Sequence, residues 1–123
     1  MNKDEIKKRL CSAVDASARD IAAYSDDIAA HPELGFAENR TSARLAEEFE
    51  KLGLTVRSNI ALTGLRADID GGGDGPRIAV LGELDGVTCR THPQADPVTG
   101  ASHSCGHNLQ TSIVLAAASA LAK

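Results

Sequence analysis

Ile6, Leu10, Val14, Ala18, Ile21, Ser25 and Ile28 recur at spacings of three and four, and Pro32 follows shortly after. Such a stripe predicts an amphipathic helix from about Asp4 to Ala30. The proline ends it, because the residue before a proline is pushed out of the α region. A helix of this length commits much of a 123-residue chain to one conformation and one apolar face. The rest of the fold has to be built against that face.

A loop, His31-Pro32-Glu33-Leu34-Gly35-Phe36, leads to a second helix marked by Thr41, Leu45, Phe49 and Leu52. Gly53 is its expected C′ stop, and Glu47 with Lys51 is a candidate i,i+4 pair. The period then changes. Thr55 to Ser58 reads as a short strand, and Leu65-Arg66-Ala67-Asp68-Ile69-Asp70 alternates apolar with polar, as a half-exposed strand does. Gly71 to Pro76 reads as a hairpin loop and not as a dinucleotide-binding turn, since a strand and not a helix is expected after it. Arg77 to Leu81 is apolar on both faces and predicts a central strand covered by helices, with Glu83 and Asp85 at its C-terminal end. Thr88 to Ser102 reads as a long loop. A last helix follows, marked by Leu109, Ile113, Ala116, Ala117, Ala120 and Leu121, and it is still running at Lys123 without a stop signal. The expected fold is α/β, a single unit ordered ααβββα with helices packed on a mixed sheet.

Composition narrows the function. Aromatic residues are only 2% of the chain and the net charge is −4, with the 13 basic residues dispersed. Neither base stacking nor a phosphate-binding surface is indicated, so no nucleic-acid partner is expected. The longest apolar run, Ile113 to Ala118, is too short to cross a bilayer, and the charged amino terminus leads into no signal-peptide core. Three cysteines, Cys11, Cys89 and Cys105, are an odd number that suits reduced thiols in the cytoplasm better than a disulfide framework.

The chemistry concentrates in two stretches. In Ser102-His103-Ser104-Cys105-Gly106-His107-Asn108, a thiol and an imidazole stand two residues apart at the start of a helix, and both are metal-ligand types. Gly106 relieves crowding between them, and the helix start favours the thiolate. Upstream, Glu83 and Asp85 lie two apart on an extended segment, so both project from one face. A carboxylate there can orient an imidazole ligand or bind a metal directly. Other readings remain open: a buried free cysteine beside a capping histidine, solvated acids at a strand end, a structural zinc site from Cys89, His92, Cys105 and His107, or Cys105 as a nucleophile with His107 as base. His103 is a weaker ligand candidate, and His31 reads as a loop or capping residue.

Three stretches together, His31-Pro32-Glu33-Leu34-Gly35-Phe36-Ala37-Glu38, Gly82-Glu83-Leu84-Asp85 and His103-Ser104-Cys105-Gly106-His107-Asn108, resemble the amino-terminal part of an M20 family metallopeptidase. The similarity is closest to its aminoacylase and amidohydrolase branch and covers roughly residues 15 to 123. Asn108, where much of the branch has aspartate, and the Gly-Glu-x-Asp pattern look more like the subgroup of the aminobenzoyl-glutamate hydrolases and the β-alanyl dipeptidase-like proteins. Gln110 stands where a histidine is common.

The resemblance implies that Cys105 and His107 are metal ligands and that Asp85 is an active-site aspartate supporting the metal. It implies one or two divalent ions, zinc, manganese or nickel, and a metal-activated water cleaving N-acyl amino acids or dipeptides. The family's general-base glutamate, its further ligands and its inserted dimerisation domain have no counterpart before Lys123. The expectation is therefore a partial catalytic domain, inactive alone. The rival expectation is a non-enzymatic α/β module serving in assembly or metal binding, for which open sheet edges make a homo-oligomer plausible.

Overall fold

The computed structural model describes residues 1–123 as three helices and two small antiparallel sheets. The fold is mixed α/β. Helix α1 spans Lys3–Ala30 and α2 spans Asn39–Lys51. Strands β1 (Val56–Ile60) and β2 (Gly64–Ala67) form one hairpin, β3 (Val87–Thr88) and β4 (Ala101–Ser102) a second, and α3 spans His107–Leu121.

Helix α1 begins where Asn2 accepts hydrogen bonds from the Asp4 and Glu5 amides while Glu5 reaches back to the Asn2 amide at 2.8 Å, a reciprocal cap. It ends at Ala30, and the His31 ring turns back to the Asp27 carbonyl at 2.8 Å. Only Tyr24, Ser25 and Ile28 are fully buried, so the apolar stripe meets partners mainly in its last two turns. Of the α2 stripe, Thr41, Leu45 and Phe49 are buried, and Leu52, the residue that caps the helix, packs partly buried against the core. Gly53, at φ +78°, closes that helix: its amide donates to Glu50 and the Leu54 amide to Phe49, the Schellman arrangement. Lys51 pairs with Glu48 at 2.7 Å and not with Glu47, which instead meets Arg44 at 2.6 Å.

The core is Tyr24, Ile28, Leu45, Phe49, Leu115 and Ala118, where α1 and α2 meet α3. Val56, Leu65 and Ala67 of the first hairpin, and Ile69 just beyond it, pack against this core. Burial along Leu65 to Asp70 alternates as its sequence does, although the ladder stops at Ala67.

The expected central strand at Arg77 to Leu81 does not form. β1 and β2 pair only with each other, so Gly71 to Pro76 is not a hairpin turn and the next segment finds no ladder. Ile78 is 82% exposed and Leu81 88%. An apolar run needs a hydrogen-bonded neighbour before it becomes a buried strand, and no strand pairs with this one. The sheet strands are instead four short ones, and the second pair, Val87–Thr88 with Ala101–Ser102, takes in both ends of the Thr88 to Ser102 segment read as loop.

Candidate metal centre

Three chain segments cross at one point. The Gly86 amide donates to the Glu33 carbonyl at 2.7 Å, and Leu34 and Gly86 form a parallel bridge. On its other side Gly86 packs so closely on β4 that a Cβ would sit 2.7 Å from the Ser102 carbonyl oxygen. A side chain there would force the segments apart. The loop after α1 thereby fixes the segment that carries Glu83 and Asp85, and β4 brings in the residues leading to α3.

Glu33 also closes the amino terminus of α2. Its Oε1 accepts from the Arg40 amide at 2.9 Å, and its Oε2 from the Thr41 amide at 2.7 Å and the Thr41 hydroxyl at 2.8 Å. Glu38 accepts from the buried Thr63 hydroxyl at 2.6 Å and so holds the turn between β1 and β2. The two glutamates of the His31 to Glu38 stretch are structural anchors.

Gly106, at φ +87°, turns the chain into α3. His107, the first helical residue, has a largely covered ring, 13% exposed. Its Nδ1 lies 2.7 Å from the Asp85 carbonyl oxygen and 2.9 Å from Asp85 Oδ1. Its Nε2 lies 3.0 Å from Glu83 Oε2. The two acids expected to share a face thus meet opposite edges of one imidazole. Every partner of that ring accepts hydrogen bonds, whereas a neutral imidazole has one N–H. With the Nδ1 proton on Asp85, the Nε2 lone pair confronts a carboxylate. A second proton or a cation resolves that conflict, and imidazole with carboxylate is a donor set that zinc and manganese accept.

The donor types therefore fit a divalent ion, but their number is small. No group of three or more histidine, cysteine, aspartate or glutamate side chains is arranged to hold a metal. Cys105 is exposed and free. Cys89 lies 3.8 Å from the Thr91 hydroxyl and His92 Nδ1 accepts from the Gln94 amide, and neither joins Cys105 and His107 in a four-residue metal site. His103 is buried, and neither ring nitrogen has a partner. Burial, then the neighbouring His107, pushes its pKa down, while Asp85 and Glu33 pull it up. Asn108 donates to the Ser25 hydroxyl at 3.1 Å and ties α3 to α1. Gln110, one turn on from His107, bonds Glu83 through both its amide oxygen and its amide nitrogen. Composition gave no signal for this pairing; its only trace in the sequence is that Gln110 shares the helix face of His107 at i,i+3.

No family model matches the chain, and no solved structure matches it. It is 30% identical, over 98% of its length, to a Bacillus subtilis protein named as an amidohydrolase, YhaA, and covers 31% of that protein. Over 72% of its length it is 34% identical to the IAA-amino acid hydrolase ILR1-like 6 of Arabidopsis thaliana, covering 19% of it. The chain belongs to the M20-type amidohydrolases. A 37% identity over 79% of the chain links it also to a Rhodococcus jostii protein named as a glutamate–cysteine ligase, of which it covers only 12%. This M20-type chain thus spans a third or less of the length of each of these relatives.

Proposed function

We propose that these 123 residues form the amino-terminal part of a metal-dependent amidohydrolase catalytic domain acting on N-acyl amino acids or dipeptides. The observation that carries the reading is the Asp85–His107 contact, a carboxylate fixing the ring of a histidine whose other edge faces an acid. The names of the relatives, an amidohydrolase and an IAA-amino acid hydrolase, support the amide bond as target and a small molecule as substrate.

In this reading His107 and Cys105 would hold the ion, zinc, manganese or nickel, in a site that is binuclear once completed by further chain. Such an ion supplies Lewis acidity toward the amide carbonyl and toward water. Asp85 holds the His107 proton at Nδ1, which fixes the tautomer and aims Nε2. Gly106 lets Cys105 and His107 turn toward a common side. The isolated chain is inactive, because an open catalytic zinc site has about three protein ligands and this chain gathers fewer. The free cysteines support a cytoplasmic setting, and no helix is long and apolar enough to cross a membrane.

Grafting the chain in place of the matching third of YhaA tests the reading. The chimera should hydrolyse N-acyl amino acids with added manganese or zinc and lose that activity on Asp85→Ala, Cys105→Ala or His107→Ala. The 123 residues alone should show no turnover above a Cys105→Ala control. A folded chimera whose activity ignores His107 would overturn the assignment.

A further inference from the structure

The segment that carries Glu83 lies outside any ladder, and the Glu83 side chain is 64% exposed. An exposed carboxylate on an irregular segment has many rotamers, and an exposed ion pair alone holds it weakly. Yet Glu83 Oε2 sits 3.0 Å from His107 Nε2. What restrains it is Gln110. The Glu83 amide donates to Gln110 Oε1 at 3.1 Å, and Gln110 Nε2 donates to Glu83 Oε2 at 3.2 Å. One primary amide thus holds both the backbone and the carboxylate of the same residue. Of the side chains, only those with a carboxamide offer an acceptor and a two-proton donor together.

The backbone is shaped for this approach. Gly82 lies so close to α3 that a Cβ there would meet Val114 Cγ2 at 3.0 Å and the Gln110 carbonyl oxygen at 3.3 Å. Gln110 and His107 are three apart on one helix, so the group that restrains Glu83 and the group that Glu83 faces share a rigid base.

We infer that Gln110 is a positioning residue that acts through Glu83, clamping its carboxylate onto the Nε2 edge of His107. The inference deepens the hydrolase reading of this site, since it decides what the free edge of the proposed ligand faces. Its test needs neither metal nor turnover, so it stands or falls separately from that reading.

The experiment is side-chain nitrogen NMR of the full chain, without metal, under conditions in which the wild-type spectrum shows both ring N–H protons of His107. Wild type should show His107 Nε2–H and Nδ1–H signals, both slowed in exchange. Gln110→Ala and Gln110→Glu should speed Nε2–H exchange by roughly fivefold or more and leave the Nδ1–H signal, held by Asp85, in place. Gln110→Glu keeps an acceptor for the Glu83 amide but sets carboxylate against carboxylate, so it reports even if the alanine variant unfolds. Glu83→Ala should give the same spectrum, and adding Gln110→Ala to it should change nothing more. Unchanged Nε2–H exchange in both Gln110 variants overturns the inference. So does a Gln110 effect that persists in the Glu83→Ala background, which would make Gln110 a general support of α3.

Discussion

Asp85 holds Nδ1 of His107 at two points, with its carbonyl oxygen at 2.7 Å and Oδ1 at 2.9 Å. The backbone contact survives any side-chain change at Asp85, so the ring stays near its place while the charge behind it is lost. Asp85→Asn should therefore leave the melting temperature nearly unchanged. In the YhaA chimera it should lower metal affinity by about 10- to 100-fold, as expected when the carboxylate behind a ligating histidine is removed. Metal titration calorimetry alongside thermal melts separates the two effects. A collapse in melting temperature matching the loss of affinity would reduce Asp85 to a packing residue.

Acid should loosen the contact between α1 and α2. Asp27 receives Arg40 Nη2 at 2.7 Å and Arg44 Nε at 3.2 Å. The Arg40 hydrogen bond, followed by that of Arg44 and the charges of both, outweighs burial and holds the Asp27 carboxyl below the usual aspartate range. The native state therefore binds this proton less readily than the unfolded chain does. Its stabilising contribution is complete above about pH 4 and is lost as pH falls through the lowered native value. Urea midpoints should drop as pH falls below about 4, and Asp27→Asn should flatten that drop while costing about 0.5 to 1 kcal/mol at neutral pH. An equal acid response in the variant would assign the effect to other carboxyls.

Glu33 satisfies two amides of the first turn of α2 with one carboxylate. Glu33→Ala should cost about 1 to 2 kcal/mol, the range of a lost helix cap, and Glu33→Gln less, because one acceptor oxygen remains. Denaturant melts would show the order; equal loss in both variants would point to charge and not to capping.

The helices were legible because their signals are local. The Thr41, Leu45 and Phe49 stripe, Pro32 and Gly53 each act within a turn of themselves, and the structure places all of them where their spacing says. The alternation from Leu65 to Asp70 likewise survives as alternating burial. The run from Arg77 to Leu81 misleads because its apolar character states a demand for cover without saying which chain segment meets it. In the site, Glu83 and Asp85, two residues apart on an extended segment, were visible as a pair. That they would straddle one imidazole depends on Gln110, 27 residues from Glu83, and on the docking of Gly86 against Glu33. Neither leaves a periodic trace in the sequence.

His103 is buried with both ring nitrogens unpartnered. A buried polar group without a hydrogen bond costs roughly 1 to 3 kcal/mol relative to an apolar group of the same shape. His103→Leu, close in volume, should thus leave the stability unchanged or raise it by up to about 2 kcal/mol. Thermal melts of the variant check this. A loss of stability would show that the imidazole is held by a water or ion that the apolar side chain cannot retain.

Ile78, Val80 and Leu81 stand largely in solvent, and Ile78 and Val80 line a groove of about 550 Å³ whose apolar side is made with Phe49, Leu54, Val114 and Leu121. A contiguous apolar surface on a free chain drives self-association, the more so beside a backbone segment without ladder partners. Ile78→Lys with Leu81→Lys removes two side chains that contribute little to folding of the 123 residues, so the stability should move by no more than about 0.5 kcal/mol. The sedimentation profile should shift from concentration-dependent association toward a single monomeric species. A large fall in stability would instead show that Ile78 and Leu81 are packed against the rest of the chain in solution.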